Sequence, residues 1–236
     1  AIAGGIGIGE FDGSKRHAGS GSGPGETPHQ MAVIGADRKV AIDLHEVSNE
    51  RYQAFSQKTG RKLPAGFSAE QPDLPVVNVS VLDAEAFCSA EGKRLPTEAE
   101  WMLAARGESA EKRAFPWGAA QDASKANVQG NPQFKTPHLV GVDSMEAGAS
   151  PYGVHHMAGN VAEWVNDWFG FDYYAYMPER NPPGPTSGRY KSLRGGSWKS
   201  RPIMLRTATR SGAPADQRSA TVGFRCAKSV APSTTR

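Results

Sequence analysis

From Phe115 to the end of this chain, no segment keeps a helical or strand period, although the residues before it are well patterned. This half is rich in Trp, Tyr, Gly and Pro and poor in helix-start signals. Such a sequence cannot build its core by stacking long amphipathic elements. It has to hold irregular loops together with aromatic side chains. The whole chain leans the same way, with 27 glycines and 17 prolines among 236 residues, against an average share of about 12% for the two together. The length fits one domain, or at most a domain and a half, and can enclose a substantial core. No internal repeat is present.

The first half is easier to read. Residues 1–29 form a Gly-, Ser- and Pro-rich tail without period. Its stretch Gly19 to Gly25 lacks the Gly-Lys-Ser/Thr ending and the preceding strand of a phosphate loop. Residues 30–229 are taken as the folded domain and 230–236 as a C-terminal tail. Met31 to Leu44 predicts two short strands around a polar turn at Ala36-Asp37-Arg38-Lys39. A helix follows from about Asn49, capped by Ser48 and stopped by Gly60, with Tyr52 and Phe55 inward. Val76, Val77, Val79 and Val81 suggest a short strand or extended segment. Ser80 and Asp83 form a capping-box pattern before a helix around Ala84–Ala90. Thr97 and Glu100 form a second one, with Glu98 at the positive end of the helix dipole. Trp101 and Ala105 share a face of that helix, and Gly107 ends it.

Several function classes drop out. Net charge is +3 with scattered basic residues, which does not predict a nucleic-acid partner. No apolar run reaches the roughly 18 residues of a membrane span, so no transmembrane segment is expected in this chain. It begins at Ala1, as it would after removal of a leader peptide or after trimming. Two isolated cysteines, Cys88 and Cys226, cannot form a zinc knuckle; they are either buried thiols or one long-range disulfide. None of His17, His29, His45, His138, His155 and His156 pair at helical spacing. They read as ordinary loop residues, with His155-His156 the pair to watch. The aromatic run Trp164, Trp168, Phe169, Phe171, Tyr173, Tyr174 and Tyr176 reads as packing rather than a ligand platform.

A series of motifs adds a resemblance: Asp43–Asn49, Pro75–Ser80, Ala86-Phe87-Cys88, Gly92–Trp101, Phe115–Gly118, Met157–Trp164, Leu193–Trp198 and Gly223–Cys226. In this order they resemble the sulfatase-modifying-factor (formylglycine-generating enzyme) family over about residues 40 to 228. The family's usual opening strand is not recognisable. The resemblance implies an α+β fold, irregular, related to C-type lectins and low in regular secondary structure.

It also implies where to look for chemistry. The family's enzymes bind copper through two cysteines just beyond the Gly-Gly-Ser-Trp segment. Here that region, Lys199 to Arg206, contains none, and no cysteine lies between Cys88 and Cys226. Ser200 and Met204 would make a poor Cu(I) site, so no copper is expected. Cys88 and Cys226 match two structural positions that pair in related enzymes. That disulfide would close a loop of 138 residues and, on the chain-entropy model, contribute roughly 4–5 kcal/mol. It would place the protein in the periplasm or outside the cell. The iron-binding histidine motif of ergothioneine-type relatives is absent.

Calcium is the cofactor the resemblance suggests, with Gly159 and Val161 offering carbonyls and Glu163 a carboxylate. His156, a poor calcium ligand, stands at the fourth position where Asn or Asp is usual, and Asn127 with Val128 matches part of a second site. The alternative is that Glu163 and Asn160 pin a loop by hydrogen bonds alone. Ala162 replaces the family's usual Trp, which either opens a pocket or is compensated by Phe169 or Tyr173. The family's peptide cleft maps to Ser197, Trp198, Ser200 and Arg210. Arg210 would clamp a carboxylate or, like Arg194 and Arg225, satisfy loop carbonyls. The reading these features favour is an extracytoplasmic binding or accessory module that docks to a larger protein assembly. A periplasmic oxidase resembling the pyoverdine-maturation enzymes comes second, and a lectin-like ligand-binding domain third.

Overall fold

A computed structural model describes residues 30–36, 39–108, 113–178 and 182–230. The expectations on both tails, on His17 and His29, and on Asp37-Arg38 in the first turn lie outside the described residues.

The capping signals set the three α-helices. Ser48 accepts from Arg51 N to open α1 (Asn49–Thr59), and Gly60 closes it at φ 72°. Ser80 and Asp83 form both halves of the capping box of α2 (Val81–Ala90). Thr97 and Glu100 do the same for α3 (Glu98–Arg106). The valine run is corrected only at Val81, which opens α2; of the two alternatives for Val76, Val77 and Val79 the strand drops out, since they belong to none. Pro75, just before the run, makes an isolated bridge to Ser48.

Two small sheets complete the domain. β1 (Met31–Ile34), β2 (Val40–Asp43) and β7 (Ala227–Ser229) pair antiparallel in the order β1-β2-β7. The second sheet has the order β5-β4-β3-β6, from β3 (Ala162–Trp168), β4 (Lys191–Arg194), β5 (Ser211–Ala213) and β6 (Val222–Gly223). β3 pairs antiparallel with β4 and parallel with β6.

Tyr52, Phe55, Phe87 and Phe224 pack ring against ring in the main core, together with Trp164 and Val76. The Cys88–Cys226 disulfide lies inside this cluster and joins α2 to the segment before β7. Trp101 on α3 heads a second cluster with Ile42, Met157 and Val165. The irregular half is thus held by buried aromatic residues at its edges. Among the described residues no helix is long and apolar enough to cross a membrane.

Candidate functional site

The turn after β4 builds the site. Gly195 and Gly196 both have positive φ, 88° and 69°, a region that L side chains avoid. A Cβ on Gly195 would also lie 3.1 Å from the Trp101 ring. This turn sends Ser197 and Ser200 back toward the sheet, where Ser197 N donates to Ser200 Oγ at 2.9 Å. Trp198 N donates to Asn160 O and ties the turn to the loop before β3.

A pocket of about 220 Å³ opens between this turn and β3. Its floor and walls include Ala162, Leu193, Gly195, Gly196, Ser197, Ser200, Met204, Thr209, Ser211, Gln217, Thr221 and Val222. The lining is small, hydroxyl-bearing or apolar, and none of these side chains titrates near neutral pH. Ala162 therefore leaves space open. Phe169 does not fill it, because its ring lies against Gly212 and the Arg210 guanidinium. Nor does Tyr173, whose hydroxyl accepts from Gly184 N.

The cleft residues separate. Ser197 and Ser200 line the pocket, whereas Trp198 turns its indole N–H to Ala220 O at 3.3 Å and carries Lys199 over its ring. Arg210 is a structural arginine. It donates from Nε and Nη2 to Glu98 at 2.6 and 2.8 Å and from Nη1 to Gly170 O, between the rings of Phe169 and Tyr174. Glu98 was read only as a helix-start residue, yet it also receives Ser192 Oγ and faces Arg194. Asp167, which caps Glu98 N, is pushed up to about 6 by burial. The aromatic run divides too: Trp164 and Tyr173 are core, while Phe171 is 92% exposed.

Behind Ala162 lies a buried polar cluster. Glu163 takes two bonds of 2.7 Å from Arg225 Nε and Nη2 and one of 2.9 Å from Trp101 Nε1. The remaining Arg225 donors satisfy the carbonyls of Asp43, Leu44 and His155. Glu46 is buried beside them and accepts from Asn160 Nδ2 and Val161 N. Burial and then the Glu163 charge hold the Glu46 carboxyl well above the usual carboxylate range. Sequence reading missed Glu46, since its proximity to Asn160 depends on contacts 114 residues apart.

This geometry tests calcium residue by residue. Glu163 does not fit: both its oxygens are taken by Arg225 and Trp101, and a dication there would abut a guanidinium. Gly159 and Val161 flank that saturated carboxylate; Gly159 is packed so tightly that a Cβ would lie 2.3 Å from Asn127 O. His156 is buried at φ 54°, with Nε2 at 3.1 Å from Gly141 O. Burial lowers its pKa to about 3, and a neutral imidazole whose Nε2 meets a carbonyl is a poor donor for a hard cation. Asn127 fits better. Its Nδ2 donates to His138 O and Asn160 Oδ1, while its buried Oδ1 has no partner. Asn127 Oδ1 and the adjacent Val128 carbonyl offer the oxygen donors a hard cation prefers. Among the described residues no group of three or more His, Cys, Asp or Glu side chains is placed to hold a metal ion.

Three capped helices, two small curled sheets, a buried disulfide and a pocket under a double-glycine turn define an irregular α+β domain of the C-type-lectin-related kind. Residues 9–230 match the sulfatase-modifying factor enzyme 1-like domain, and the chain belongs to that family. It is 44% identical over 212 residues to the serine/threonine-protein kinase pkn1 of Chlamydia pneumoniae, covering 80% of this chain and 33% of that protein. The formylglycine-generating enzyme of Streptomyces coelicolor is 39% identical over 171 residues, covering 66% of this chain and 53% of that one. This chain thus spans from a third to about half the length of these relatives. Among solved structures, PvdO from Pseudomonas aeruginosa superposes with a TM-score of 0.70 and 26% identity, over 81% of this chain and 80% of that one.

Proposed function

We propose that this chain is a binding module on the formylglycine-generating-enzyme fold, working outside the cytoplasm as part of a larger protein assembly. The observation that carries this reading is the pocket lining: hydroxyls, one amide and small apolar groups, suited to holding an uncharged group by hydrogen bonds and contact. Both cysteines of the chain are joined to each other, so paired-thiolate copper chemistry is not part of the reading. The same disulfide supports an oxidising compartment. Calcium enters as a structural ion held by Asn127 Oδ1 and the Val128 carbonyl, pinning the loop that Asn160 ties to the pocket turn. Calcium is expected to raise the melting temperature, and Asn127→Ala to abolish that rise.

Purification from the native source tests the main reading. A stable partner should co-elute, and Ala162→Trp, which fills the pocket, should release it. Isolation as a free monomer under all conditions would sink it. The second reading is a cysteine-independent oxidase, favoured by the likeness to PvdO. Oxygen uptake dependent on an added chromophore-precursor peptide, and lost in Ala162→Trp, would put that reading first.

A further inference from the structure

The histidines regroup in three dimensions. His155 and His156 are neighbours in the chain, but the close ring contact is between His155 and His45, with centroids 4.8 Å apart and planes tilted by 56°. His45 follows β2, and His155 lies in the loop before β3. His155 N donates to Leu44 O and holds the two segments side by side. His156 stands apart: its ring centroid is 6.4 Å from that of His155, and its Nε2 lies against Gly141 O.

Each ring of this pair keeps a nitrogen free. His155 Nδ1 lies 3.1 Å from Ser144 O. A carbonyl only accepts, so Nδ1 carries the proton and Nε2 is left with a bare lone pair. Metal-bound histidines are oriented in this way, by an acceptor on the far nitrogen. The His45 ring makes no hydrogen bond among the described residues. Burial lowers its pKa to about 4, so it is neutral at physiological pH, the form that binds a metal. The charges of Asp43 and Asp143 reach it and oppose that of Arg225, whose guanidinium is already paired with Glu163.

The spacing fits chelation. Two imidazoles bound to one ion at about 2.0–2.1 Å, at angles between octahedral and tetrahedral, put their ring centroids about 4.5–5.2 Å apart. A cavity of about 80 Å³ adjoins His45 beside Gln30, Glu46 and Val142, which is space for the waters that complete such an ion. We propose that His45 and His155 form a two-nitrogen site for a borderline divalent transition-metal ion of the Zn(II) class, bound through His155 Nε2 and one nitrogen of His45, with water in the remaining positions. Imidazole nitrogens suit zinc, copper and nickel, whereas calcium takes oxygen, so this site is distinct from the donors of Asn127 and Val128. Having two side-chain ligands and not three, it holds an exchangeable ion, one that clasps the segment after β2 to the loop before β3.

Cu(II) is the probe, because it binds nitrogen sites most tightly among these ions and its electron paramagnetic resonance spectrum counts bound nitrogens. The full chain carries His17→Ala and His29→Ala, which removes the tail histidines. The further double variant His45→Ala/His155→Ala gives the background from the rest of the chain. Above that background, one Cu(II) per chain should bind near neutral pH, with splitting from two nitrogens. His45→Ala and His155→Ala should each weaken it at least about tenfold, and about a hundredfold excess of Ca(II) should leave it in place. His156→Gln and His138→Ala should bind as before. Thermal melting confirms that each variant is folded. Binding no greater than that of the folded double variant, a spectrum with a single nitrogen, displacement by Ca(II), or loss in a folded His156→Gln or His138→Ala, overturns the proposal. Neither ligand lines the pocket, so failure here leaves the binding-module reading in place.

Discussion

Ala162 and Glu163 are consecutive residues of β3 and face opposite sides of the sheet, as successive strand residues must. On the Glu163 side Arg225 alone serves one carboxylate and three carbonyls, while the Nε of the neighbouring buried Arg194 has no acceptor. On the Ala162 side there is open volume, and the pocket lining holds no ionisable group. Within one residue the strand turns from a buried ion-pair cluster to an open cavity. The main core shares the Ala162 face through Trp164, so the cavity is a gap at the edge of packed side chains, and the ion-pair cluster lies behind it.

The interior face should give the largest response. Arg225→Met leaves Glu163 buried without its partner and should lose about 3–5 kcal/mol of unfolding free energy in urea. A loss below about 1 kcal/mol would mean the cluster is not the brace described here. His156 tests the same side through pH. Its folded pKa of about 3 lies below the ordinary 6.5, so between these values the unfolded chain binds a proton that the native state does not. Its contribution is complete above about pH 6.5 and falls as pH drops. From pH 7 to 5 the wild type should lose about 2 kcal/mol more than His156→Gln. His45, lowered to about 4 by burial, adds in the same direction; Glu46, raised, acts oppositely and remains in both proteins.

The cavity face should respond weakly. Ser200→Ala removes the acceptor of Ser197 N and should lower stability by about 1 kcal/mol. Ala162→Ser should change it by less than about 0.5 kcal/mol, measured by the same melts. If Ala162→Ser destabilised as strongly as Arg225→Met, the two faces would not differ in the way proposed.

The sequence disclosed these two faces unequally. Helices were legible because their caps are local: Ser48, Ser80 and Thr97 act on amides within three residues of themselves. The inward Tyr52 and Phe55 followed from the same register. β3 was not legible, because its Glu163, Trp164 and Val165 are all buried and no alternation survives. Val76 to Val79 left strand and extended segment both open, because β-branched residues also serve an extended segment without a ladder. The pocket was half legible: the small residue at Ala162 and the glycine turn were visible, but not whether Phe169 would reach the gap. Arg210 could not be assigned, since Glu98 meets it across 112 residues.

The Cys88–Cys226 bond encloses 138 residues of separation, and Ala162, the glycine turn, β5 and Thr221 all fall within that ring. A protease that cuts an exposed loop anywhere inside it severs the chain but not the molecule. Both pieces stay covalently joined through the core, with every residue of the pocket on one or the other. Such a nicked protein runs at full mass on a non-reducing gel and separates into two fragments only when thiol is added.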